Sequence, residues 1–139
     1  MSPERPLAVS RWVLASALLV LACGARVDPE AQQSAGRIAH AVEQLRNAPN
    51  AGKPVALGAL GKLSCTGPDV CETRDACTKA YTEHIDALSL TAAAKLKMES
   101  DGAEAARLLG AAEEKLGAAA LLVTLCTERE SALRRRYKL

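Results

Sequence analysis

Apolar residues along this chain recur at alternating steps of three and four, the pattern of helices that bury one face. Ala31, Ala35, Ile38, Val42 and Leu45 follow it, and Asp28 before Pro29 supplies an N-cap and a first helical residue. The spacing predicts a helix over about 29–47. Asn47 to Pro54 (NAPNAGKP) holds two prolines, a glycine and two asparagines, so the segment 48–67 reads as loop or linker. Its apolar part, Val55 to Ser64, is broken by Gly58 and Gly61 and reads as loop with one helical turn.

Thr66-Gly67-Pro68 marks the next helix start, and no proline follows it through Leu139. Cys77, Tyr81, Ile85, Leu88, Ala92 and Leu96 then mark one face of a helix over about 68–98. Ser100-Asp101-Gly102 interrupts it, and Asp101 with Glu104 forms a capping box for a last helix over about 102–138. There Ala105, Leu109, Ala112, Leu116, Ala119, Val123, Cys126, Glu130, Leu133 and Tyr137 keep the alternation throughout, Glu130 alone being polar. This is a coiled-coil-like seam, roughly 50 Å long at about 1.5 Å per residue. The expected fold is therefore all-α: a long antiparallel helical hairpin (68–98 and 102–138) with the N-terminal helix (29–47), together one domain over 29–139.

Composition agrees with closely packed helices. Aromatic residues make up 2% of the chain, Phe is absent, and Trp12 is the single Trp. A core of Ala, Leu, Val and Cys suits helices whose axes approach closely, whereas strands draw on β-branched and aromatic side chains. The formal net charge is +2, which gives no basic field to steer a polyanion and speaks against a nucleic-acid partner.

The first 22 residues divide into a charged start with Arg5 and Arg11, an apolar stretch from Trp12 to Leu21, and a small residue, Ala22. This is the layout of a secretory signal peptide, and its apolar part is about half the roughly 20 residues that a spanning helix needs. Val20-Leu21-Ala22-Cys23 resembles the lipobox of bacterial lipoproteins. It departs from the commonest form in having Val20 where Leu is usual and Leu21 where a smaller residue is usual. The resemblance implies removal of residues 1–22, diacylglycerol on the Cys23 thiol, and acylation of the new amine, with 23–28 left as a tether. Several acyl chains would anchor the protein stably in a bilayer. Gly24, rather than Asp, after the cysteine implies the outer membrane by the sorting rule of enterobacterial lipoproteins. The alternative is an ordinary cleaved signal, cut at Ala22 or Ala25.

With Cys23 assigned to lipid, Cys65, Cys71, Cys77 and Cys126 remain, an even number in an exported, oxidising setting. Cys77 and Cys126 lie nearly equally far on either side of Asp101, at one height in an antiparallel hairpin and on both predicted seams. Pairing Cys71 with Cys126 would need a mismatch of about 7 Å, and Cys71 with Cys77 on one helix about 9 Å of rise. The geometry selects Cys77 with Cys126 and Cys65 with Cys71. A metal or redox site is the rival, but no C-x-x-C occurs and the spacings do not match zinc patterns. The arrangement CxxxxxCxxxxxC with a late helical cysteine also resembles small cysteine-stapled lipoproteins of unknown function.

Other candidate chemistry is sparse. His84 stands beside Glu83 and Asp86, and His40 near Glu43, but no nucleophile or glycine-rich elbow accompanies them. Gly61-Lys62 fails as a phosphate loop, because Ala56 replaces the first glycine and Leu63 the Ser/Thr. Arg134, Arg135, Arg136 and Lys138 suit a helix C-terminus, and could touch anionic headgroups or an acidic partner. The sequence thus implies a lipid-anchored envelope protein, non-catalytic and without cofactor, that presents helical surface to a protein partner. The alternative is a small-ligand or metal-binding protein using His40, His84 and a cleft between the first helix and the hairpin.

Overall fold

The computed structural model describes residues 26–139; the signal-like segment 1–22 and Cys23 lie outside the described residues. Four helices follow one another: α1 (Pro29–Asn47), α2 (Lys53–Gly61), α3 (Pro68–Lys97) and α4 (Gly102–Tyr137), with a 3-10 turn at Asn50–Gly52 before α2. No strand occurs among the described residues. The protein is all-α, with α3 and α4 packed as a long antiparallel hairpin and α1 and α2 laid against one end of it. That end, the base, gathers the start of α1, the start of α3 and the end of α4. There Gln32 Nε2 donates to the carbonyl of Tyr137 at 2.8 Å, and Tyr137 Oη donates to Asp69 Oδ1 at 3.0 Å. The opposite end, the tip, is the turn between Met98 and Asp101.

Local chemistry explains the helix starts. Asp28 Oδ1 accepts the Glu30 amide at 3.0 Å and Pro29 opens α1, satisfying the first turn of that helix. Gly67 precedes Pro68 with φ of 97°, a left-handed conformation open to glycine, so the chain turns sharply into α3. Asp101 Oδ1 accepts the Glu104 amide at 3.0 Å. The reciprocal half of the expected capping box is not made. Glu104 instead accepts two hydrogen bonds from Arg107, at 2.7 and 2.6 Å, because a guanidinium one turn on offers two charge-assisted donors against a single amide.

The segment 48–67, expected as loop, contains the nine-residue α2. Burial outweighs the helix cost of its glycines, about 1 kcal/mol each: Leu60 is fully buried, Ala56 and Leu57 pack on the core, and Gly58 and Gly61 face open space. Around Leu60 the core collects Ile38, Val42 and Leu45 of α1, Val70 and Tyr81 of α3, and Leu133 of α4.

The hairpin seam keeps most of the expected one, with Cys77 and Tyr81 on α3 and seven of the ten α4 positions buried, and departs from it toward the tip. On α3 Thr73, Ala80, Ala87 and Ala94 are buried at steps of seven, beside Val70 and Cys77, whereas Ala92 and Leu96 of the expected face are exposed. On α4 the corresponding series is Ala105, Ala112, Ala119, Cys126 and Leu133, with Leu109 and Leu116 displaced to the flank. A two-helix layer has one line of closest approach, and Ala lets the backbones come together along it while Leu straddles the line. A disulfide joins Cys77 to Cys126 across this seam with Cα atoms 4.7 Å apart, and a second joins Cys65 to Cys71 at 5.2 Å.

Candidate functional site

Two places concentrate interacting side chains. At the base, Glu130 is buried on α4 and holds two cations: Arg46 of α1 donates to its Oε2, and Arg134 donates to its Oε1 at 3.0 Å. The hydrogen bond that Arg46 donates to Glu130 raises its guanidinium further above its already high range. Arg134 also reaches Glu43 at 3.3 Å, and Arg136 lies 3.4 Å from Asp69. The arginine run at the end of α4 is thus partly spent on carboxylates of α1, α3 and α4. Burial first, and then the bond to Asp69, raise the Tyr137 hydroxyl above its ordinary value. These contacts bind three helices together and leave Glu130, the polar exception on the seam, fully occupied.

The second place is a cleft of about 370 Å³ where the end of α1 and the start of α2 meet the middle of the hairpin. Lys53, buried at the start of α2, donates from Nζ to the carbonyls of Leu45 and Arg46, both at 3.2 Å, and so closes the C-terminus of α1. The same ammonium lies 5.7 Å from the centre of the Tyr81 ring. His84 stands edge-on to Tyr81, with ring centroids 6.4 Å apart. Leu116, Ala120 and Val123 of α4 complete the apolar wall. Beyond this cleft toward the tip, α1 and α2 no longer cover the hairpin.

The structure does not bring the two histidines together. His84 lines the cleft, whereas His40 is exposed on α1 and is not part of its lining. Among the described residues no group of three His, Cys, Asp or Glu side chains is placed to hold a metal ion, and Cys65, Cys71, Cys77 and Cys126 are all consumed in disulfides. No described helix is long and apolar enough to cross a membrane. Lys53 escaped the sequence reading because its role depends on the unforeseen α2; the one available signal was a lysine just after a helix-ending segment. No protein-family model, curated protein or solved structure matches the chain.

Proposed function

We propose that this chain is a lipid-anchored cell-envelope protein, attached through acylated Cys23 to the outer membrane, whose helical domain is a non-catalytic scaffold for a protein partner. The observation that carries the scaffold role is the distal half of the hairpin. It extends past α1 and α2 with Leu96, Met98 and Leu109 between 42% and 84% exposed, uncovered apolar side chains of the kind that mark interaction surface. Support for the anchor is the lipobox-like VLAC at 20–23, followed by Gly24. The alternative, a small-ligand or metal-binding protein built on His40 and His84, has in its favour a cleft that only His84 reaches.

The test is metabolic labelling with a clickable fatty acid, followed by membrane fractionation and crosslinking pull-down, on wild type and Cys23→Ala. Label and outer-membrane fractionation confined to wild type support the reading. Label retained by Cys23→Ala, or identical fractionation and partners for both forms, overturns the anchor.

A further inference from the structure

We infer that the cleft between α1, α2 and the hairpin binds a small carboxylate with an aliphatic tail, its head at Lys53 and Arg46 and its tail along α4. The inference rests on the small-ligand alternative for this cleft, narrowed to exclude His40, and is independent of the lipid anchor and of the scaffold role.

A buried cation without a counter-charge carries it. Lys53 is 7% exposed, and among the described residues no carboxylate pairs with it. A buried charge left in that state is costly. Its Nζ donates to two carbonyls at the end of α1, both at 3.2 Å, and a helix C-terminus amounts to only about half a negative charge. An ammonium has three protons, so one remains. The Tyr81 ring, centred 5.7 Å away, offers it a quadrupole rather than a charge.

The neighbouring groups leave no carboxylate over. Arg46 donates to Glu130, but Glu130 also accepts from Arg134, which in turn reaches Glu43. Lys53, Arg46 and Arg134 thus set three positive charges against the two negative charges of Glu130 and Glu43. Among the described residues no Asp or Glu lines the cleft. Glu83 and Asp86, the acids near His84 in sequence, are engaged by Lys115 at 2.7 and 3.8 Å. An excess of one positive charge suits a monoanion. Arg46, whose side chain is 41% exposed, presents a planar fork that matches the two oxygens of a carboxylate.

The wall decides the rest of the ligand. Leu116, Ala119, Ala120 and Val123 present aliphatic surface to the cleft, and Leu116 is 44% exposed. With Cys77 bridged to Cys126, Val123 is nearly level with Tyr81, beside which Lys53 sits, and Leu116 lies farther toward the tip. From Val123 to Leu116 is about 10 Å along the helix, the span of a medium-length alkyl chain. The volume of about 370 Å³ is ample for such a molecule. Its direction is fixed as well, because Glu113, seven residues before Ala120, stands on the same stripe beyond Leu116. A carboxylate head at that end would meet a like charge, so the head belongs at Lys53.

The experiment is calorimetric titration of the full chain in phosphatidylcholine nanodiscs with octanoate, octanol and lysophosphatidylglycerol, each against empty nanodiscs. Expected is one octanoate per chain with a Kd below about 1 mM. Octanol binds about tenfold or more weakly, because a neutral head leaves the ammonium without a counter-charge. Lys53→Met weakens octanoate by a similar factor. Since that change also loosens α1, Ala120→Glu supplies a second test on an exposed part of the wall. It gives the cleft a carboxylate of its own and weakens octanoate about tenfold or more, with helical circular dichroism unchanged, whereas Ala120→Gln, of the same size, retains binding. Octanol that binds as well as octanoate, or an Ala120→Glu chain that binds as wild type, overturns the proposal. Lysophosphatidylglycerol bound in place of octanoate overturns the carboxylate and keeps the small-ligand alternative. A chain that takes up none of the three but still crosslinks to a partner through the distal hairpin overturns the ligand and leaves the scaffold reading standing.

Discussion

Tyr137 shows how one residue ties the base together and gives it a pH dependence. Its ring is buried and its hydroxyl donates to Asp69 at 3.0 Å, across α4 and α3. Burial and that bond both raise the hydroxyl's folded pKa. A group raised on folding contributes its stabilisation in full below the unfolded value, near 10 for tyrosine, and loses it as pH rises through the folded value. Tyr137→Phe keeps the ring and removes the proton. We expect it to cost about 1–2 kcal/mol at pH 7, and the gap to wild type to narrow above pH about 10. Urea unfolding at both pH values checks this; a gap that stays constant into strongly alkaline solution would show that the Asp69 bond contributes nothing.

At the scale of elements, the helical fold, the hairpin and its turn were legible because they rest on long-range repetition, while α2 and the seam register rest on tertiary packing. The expected face of α3 (Cys77, Tyr81, Ile85, Leu88, Ala92, Leu96) carries the larger apolar side chains, whereas Thr73, Ala80, Ala87 and Ala94 keep the steps of seven that backbone approach selects. A paired substitution separates the two. Ala87→Leu places three extra carbons in a closed seam and is expected to destabilise by about 1–3 kcal/mol. Ala92→Leu, on the face that spacing alone selects but exposed in the structure, is expected to change stability by less than about 0.5 kcal/mol. Equal effects in thermal unfolding would return the seam to the face that spacing alone selects. The candidate cleft was legible in His84 and in its place between the first helix and the hairpin, but not in Lys53, which reaches it through the connection that was read as loop. Lys53→Met removes two hydrogen bonds to the last carbonyls of α1 and the contact with Tyr81. The expected loss is about 2 kcal/mol, with faster amide exchange at the α1 end; unchanged stability would mean that water replaces the ammonium.

For the whole molecule, the two disulfides compensate for a core whose only aromatics, among the described residues, are Tyr81 and Tyr137. They do so unequally. The Cys77–Cys126 bridge spans 49 positions and the Cys65–Cys71 bridge spans 6, so on the chain-entropy model they stabilise by about 4 and about 2 kcal/mol. Their exposure differs in the same sense, since Cys77 and Cys126 are sealed in the Ala seam and Cys65 and Cys71 are half-buried. Rising concentrations of dithiothreitol should therefore open Cys65–Cys71 first, with Cys77–Cys126 yielding only as the hairpin unfolds. Alkylation and mass analysis at each step report the order. The replacement Cys77→Ala with Cys126→Ala suits the test, because alanine already fills the neighbouring seam positions and the cavity left is small. Its loss of stability then measures the crosslink itself, expected at roughly twice that of Cys65→Ala with Cys71→Ala. Simultaneous reduction of both bridges, or equal losses from the two pairs, would show instead that the hairpin is held by its packing and that the long-range bridge adds little to it.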